Sequence, residues 1–146
     1  MVNWSAHPEV SAMIKWVQRR VRFAGAEVKS SPKAAVDVVS VKLRRRSQSF
    51  VGRHRNGVSA VTGEISRAAE ATLDALRQVV GKDTTIELKT VGPVAALGQS
   101  FVLAVVDVTV QGRTHSLMGV CPLSLNPSRD AALAVLDATN RVLGLS

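Results

Sequence analysis

Tyrosine is absent from the 146 residues, cysteine occurs once, and aromatic side chains make up only 3%. A lone cysteine, Cys121, excludes an internal disulfide and makes a reducing, cytoplasmic setting the expected one. Scarcity of aromatic rings argues against a stacking platform for unpaired bases, which needs exposed rings worth ~1–3 kcal/mol per base. No apolar run approaches the ~20 residues of a bilayer span; the best, Phe101–Val106, has the length of a buried strand. The opening MVNWSAHPEV has no charged leader ahead of an apolar core, so no secretory signal is expected. There is no HExxH, no paired cysteine, no clustered acidic ligand set and no GxxxxGK[ST]. Zinc, calcium and P-loop chemistry therefore lack their residues, and neither a metal nor a cofactor is expected.

What is present is an ordinary globular composition, 46% hydrophobic and 21% charged, in a chain of one domain's length. Charge is distributed unevenly. The net charge is +8, and residues 1–58 hold 12 of the 19 Lys and Arg but 3 of the 11 Asp and Glu. Such asymmetry points to an anionic partner, whether nucleic acid, an acidic protein surface or a membrane face, or else to a solvated surface that keeps a small protein dispersed.

The amino-terminal segment has helical spacing. Pro8 suits a first helical position, Val10, Met13, Ile14, Val17 and Val21 fall on one face, and Gly25 is a stop. Lys15, Arg19, Arg20 and Arg22 crowd the other faces and the C-terminal end, so this basic amphipathic helix either docks on a membrane or a partner or packs on its own domain or a second copy. The polar, proline-containing stretch from Ala26 to Ala35 reads as a linker. Residues 1–33 are thus expected as a basic helix and linker, and 34–146 as a single α+β domain.

In that domain Val39, Val41 and Leu43 alternate with Ser40, Lys42 and Arg44 as a half-buried strand. A turn at Arg45–Gln48 returns it through Ser49–Val51, a loop carries Arg53–Ser59, and a helix runs on to Gly81 with Ala68, Ala69, Leu73, Leu76 and Val80 on its apolar face. Thr84–Val91 reads as a strand broken by Gly92-Pro93, Phe101–Val110 as the most strand-like stretch, and Thr114–Cys121 as its return. Asn126-Pro127-Ser128 opens a last helix.

Two stretches look like copies, about 40–81 and 107–144. Val41, Arg46, Ser49 and Gly52 lie over Val108, Arg113, Ser116 and Gly119, and Leu73-Asp74-Ala75 with Gly81 lie over Leu136-Asp137-Ala138 with Gly144. A hairpin followed by a helix has one apolar sheet face for the helix to cover. Two such pseudo-symmetric units side by side predict one antiparallel sheet with both helices on one face, plus the amino-terminal amphipathic helix. The other sheet face meets water, that helix or a second subunit.

Reactive side chains are scattered. His7, His54 and His115 fall in separate elements, and Cys121 reads as a small buried residue at a strand end, with a catalytic pairing to His115 as the competing reading. Glu64, Glu70, Asp74, Asp107, Asp130 and Asp137 are expected mostly on helix surfaces, Asp74 and Asp137 at equivalent positions of the repeat. No enzyme is expected. The best binding candidates are the cations of the first hairpin. Lys42 and Arg44 share a strand face, Arg53 and Arg55 share another, and Arg45 and Arg46 sit at the turn.

The order hairpin, helix, three strands, helix resembles the C-terminal regulatory (dimerisation) domain of 2-isopropylmalate synthases over roughly Ala35–Gly144. The last helix, with Ala134, Ala138, Asn140 and Arg141, is similar to that family's closing Ala-Leu-Asn-Arg run, with Thr139 in place of the leucine. The resemblance implies homodimerisation through a shared module and, with no catalytic barrel read in these residues, does not extend to synthase activity. The expectation is a non-catalytic dimerisation or regulatory module that binds a partner or small ligand; the alternative is a nucleic-acid-associated protein holding phosphates through the basic hairpin.

Overall fold

The computed structural model describes residues 21–31, 36–56 and 61–143. Six strands and two helices follow in the order β1 (Arg22–Ser31), β2 (Val36–Arg45), β3 (Gln48–Asn56), α1 (Val61–Val79), β4 (Thr84–Ala96), β5 (Gln99–Val110), β6 (Arg113–Pro122) and α2 (Pro127–Leu143). The strands form two antiparallel three-stranded sheets, β1-β2-β3 and β4-β5-β6, rather than the single sheet expected. Each unit is three strands and a helix. The basic amino-terminal helix is not found where it can be tested: Arg22, assigned to it, opens β1, and the expected linker is most of that strand. Lys15, Arg19 and Arg20 lie outside the described residues.

Why the sheets stay apart is visible at their edges. Helix α1 packs on β2 and β3, on α2 and on β4, while α2 packs on β5 and β6 and reaches β1. The alanine-rich helices are buried nearly all round: Ile65, Ala68, Ala69, Ala71, Leu73, Ala75 and Leu76 in α1, and Ala131, Ala132, Ala134, Val135, Leu136 and Ala138 in α2. A helix apolar on so many sides needs cover from more than one sheet. The helices also occupy strand edges that a continuous sheet would use. Asp74 Oδ2 accepts the Arg53 N–H of β3 at 3.1 Å, and Gln78 Nε2 donates to the Val51 carbonyl at 2.8 Å. Asp137 Oδ2 accepts the Val120 N–H of β6 at 3.0 Å, and Arg77 donates to the Ile86 carbonyl of β4 at 3.0 Å. Ahead of β1, Asn140 holds both backbone groups of Val21, each at 3.0 Å, in a buried clamp. Satisfied edges do not recruit further strands.

Two glycines set the distance between strand and helix. A Cβ on Gly52 would overlap the Ala71 carbonyl oxygen and the Ala75 nitrogen; one on Gly119 would overlap the same groups of Ala134 and Ala138. Bare backbone at these points lets a small-residue helix rest directly on β3 or β6. Elsewhere the local chemistry is conventional. Leu97-Gly98 and Gln111-Gly112 take positive φ at both residues, the conformation that joins tightly paired strands. Asn126 Oδ1 accepts the Arg129 N–H at 3.2 Å ahead of Pro127, capping α2. Strand β4 runs through Gly92-Pro93, where a break is expected, because on an edge strand the N–H that Pro93 lacks can be done without. Strand β3 likewise extends to Asn56, over half of the expected loop.

The register corrects the repeat in one respect. Gly52 faces Val41, but Gly119 faces Ala104 rather than Val108. The second hairpin is therefore four residues longer. Val39, Val41 and Leu43 correspond to Val102, Ala104 and Val106, all fully buried, while Phe50 and Leu117 take equivalent, partly buried places.

Gly52→Ala and Gly119→Ala are each expected to cost about 1–3 kcal/mol, by analogy with overpacked cores. Gly92→Ala, where a Cβ meets nothing within 4 Å, is the control and should change stability little. Urea denaturation of the three variants checks this.

Candidate functional site: two outer sheet faces

With the helices fixed on one side of each sheet, no described helix covers the opposite faces, and their contents follow from the register. On the first sheet the outer positions are Val38, Ser40, Lys42 and Arg44 on β2, opposite Arg55, Arg53, Val51 and Ser49 on β3. On β1 they are Lys29, Glu27, Gly25 and Arg22, opposite the same four β2 residues in order. Lys42 and Arg53 are exposed and flank an open trough of about 620 Å³. Its floor is shallow because Gly25, Ser40 and Val38 are small, and its rim holds Lys29, Lys42 and Arg53. Glu27 is the one carboxylate there, 3.8 Å from the Lys29 ammonium, and both are well exposed, so the pair contributes little.

Four expected binding residues, Lys42, Arg44, Arg53 and Arg55, thus occupy one face in register, and Arg22 joins them from β1, across from Arg44. Arg46 is exposed in the β2–β3 turn with φ of 57°, beside Arg45 at the strand end. Phe50 pairs with Leu43 on the helix side, so no aromatic ring of this hairpin faces out. Glu27 and Lys29 fall in the stretch expected as a linker and Gly25 at the expected helix stop; the alternation of Ala26 and Val28 with Glu27 and Lys29 is the signal for a strand.

The equivalent face of the second sheet has the opposite character. Phe101, Leu103, Val105 and Asp107 stand where β2 has Val38, Ser40, Lys42 and Arg44. Pro122, Val120, Met118 and Ser116 stand where β3 has Arg55, Arg53, Val51 and Ser49. Val94 adds to it from β4, opposite Phe101. Val94 is 42% exposed, Val120 46% and Met118 56%, large values for apolar side chains gathered on one face. At one end the face turns polar, where Ser116 Oγ donates to Asp107 at 2.6 Å. The uninterrupted apolar run of Phe101–Val106 is the sequence signal: it is apolar toward both sides, whereas a strand with one wet face alternates.

Reactive groups do not converge. Among the described residues no group of three or more His, Cys, Asp or Glu side chains could hold a metal ion. Cys121 and His115 are six residues apart on β6, which separates them by about 20 Å at ~3.3 Å per residue. Asp130, expected on a surface, is buried and accepts from the Ser124 N–H at 2.6 Å and from its hydroxyl, closing the loop between β6 and α2. Asp74 and Asp137 hold strand edges, as described. Burial and then the nearby Asp130 carboxylate raise the Cys121 thiol above its ordinary pKa, which keeps it protonated and weakly nucleophilic at neutral pH. No described helix is long and apolar enough to cross a membrane. Comparison with protein-family models finds no match, and no curated protein matches the chain.

The thiol shift has a definite sign. The unfolded thiol loses its proton first, so stability falls as pH rises past the ordinary thiol pKa. Alkylation by iodoacetamide across pH 7–11 should show a midpoint above that of glutathione, returning to the ordinary position in urea; a coincident or lower midpoint in the folded protein contradicts this.

Proposed function

We propose that the chain is a non-catalytic assembly module that pairs with a second copy through the outer face of the β4-β5-β6 sheet. The observation that carries this reading is the apolar set of exposed Val94, Met118 and Val120 with half-buried Phe101, Leu103 and Val105, set against polar or basic residues at most of the corresponding places in the first sheet. A twofold interface brings the same patch of each copy together. This patch carries no cation, and the carboxylates of its face, Asp107 and Glu87, stand opposite each other at its polar end; the basic outer face of the first sheet offers no such contact to a chain of net charge +8. Two such faces stack as sheets do, ~10 Å apart. Three strands at ~4.8 Å and about six residues at ~3.3 Å give a footprint of about 300 Å², the apolar centre of an interface. The exposed β4–β5 arm beyond Gly92, with Leu97 at its tip, extends it. Pairing of this kind is also what the resemblance to the synthase regulatory domain implies, and the single Cys121 thiol accords with a reducing, cytoplasmic setting.

Light scattering after size exclusion, in reductant at about 50 µM, is the test. Twice the 15.5 kDa chain mass is expected for the native sequence and a single chain mass for Met118→Lys/Val120→Lys. A native monomer, or a dimer that both lysines leave intact, contradicts the reading.

A further inference from the structure

We infer that the trough on the outer face of the β1-β2-β3 sheet binds the phosphodiester backbone of nucleic acid, independently of base sequence. This goes beyond self-association and uses a different surface. The face places Arg22, Lys29, Lys42, Arg44 and Arg53 within three strands, with Glu27 as the only acidic residue at its outer register positions. Arg22 stands directly opposite Arg44, an arrangement of like charges that weakens a strand pair unless an anion lies between or above them. Side chains on one strand face repeat every ~6.7 Å and neighbouring strands lie ~4.8 Å apart, so the five cations are spread over a face about 10 Å wide and about 20 Å long. A polymer with an anion on every unit reaches several of them at once; a single carboxylate or phosphate engages only one or two. Gly25, Ser40 and Val38 keep the floor of the 620 Å³ trough low, and the rim residues Lys29, Lys42 and Arg53 present donors only. Among the described residues of this sheet no aromatic ring faces the trough, since Phe23 and Phe50 lie opposite Leu43 on the helix side. Recognition therefore falls to phosphate contacts, which position a backbone without reading its bases.

The test uses the full chain and fluorescein-labelled 20-nucleotide single strands and 20-base-pair duplexes of two unrelated sequences, followed by anisotropy. Binding is expected at 50 mM salt with little difference between sequences. With about four phosphates engaged, affinity for duplex should fall roughly 100-fold between 50 and 200 mM salt. Lys42→Gln/Arg53→Gln should weaken binding at 50 mM at least about tenfold and flatten the log–log salt slope by about 2. Both side chains are exposed, and the Arg53 contact to Asp74 is made by backbone, so the fold is retained; thermal melting verifies this. The single-strand and duplex arms tell which form presents the backbone. The inference is overturned by absence of binding to both forms at 50 mM, or by a polyglutamate of equal charge competing as well as the oligonucleotides. It is equally overturned if Arg19→Gln/Arg20→Gln removes binding while Lys42→Gln/Arg53→Gln leaves it unchanged.

Discussion

Helix backbone rests on strand backbone at Gly52 and Gly119, and the rest of the molecule is arranged around those two contacts. Each brings an alanine-rich stretch, Ala71–Ala75 or Ala134–Ala138, against a strand that is an edge of its sheet. At that distance the aspartate of the same helix reaches the N–H of the next strand residue, Asp74 to Arg53 and Asp137 to Val120. The contact thus both buries small apolar side chains and satisfies edge backbone. Neither half works without the other, because a longer side chain at the glycine would lift the carboxylate out of reach.

Conserved geometry on the helix side has a consequence for the far side. Residues that alternate with the buried set point away from the helices, so they are released from packing constraints while their spacing stays fixed. The two copies use that release in opposite ways. Lys42 and Arg53 in one sheet correspond to Val105 and Val120 in the other, on the same scaffold and in the same register. Two units with one packing scheme and different outer faces give one chain two surfaces of opposite character, one basic and one apolar.

Much of this was legible in the sequence, and what failed did so for specific reasons. The β2, β5 and β6 strands, both helices and their pairing into units follow from two-residue and helical periodicities. The Leu-Asp-Ala match points to the two aspartates before their role is known. The single sheet was a wrong inference because a hairpin and helix show which face is covered but not how many neighbours the helix needs; Ala68, Ala69 and Ala71 on almost contiguous positions were the clue. Strand β1 was hidden by its own edge position, where Lys29, Ser30 and Ser31 resemble a linker. The four-residue error in aligning the hairpins arose because valine at every second position matches itself at several offsets. Only the unique contact at Gly119 fixes the choice.

Charge separates the two surfaces more firmly than distance does. Bringing two chains of net charge +8 together carries a repulsive cost that grows as cationic faces approach and is screened over ~10 Å at 0.1 M salt. Pairing through the apolar part of the second sheet's outer face leaves the basic face of the first sheet out of the contact. A pair so formed would carry two basic faces without adding a residue, and two linked weak sites hold a long polyanion far better than one. Assembly and anion binding would then reinforce each other through valency. No change of shape is required of a scaffold whose helices are already locked to their strands by Gly52 and Gly119.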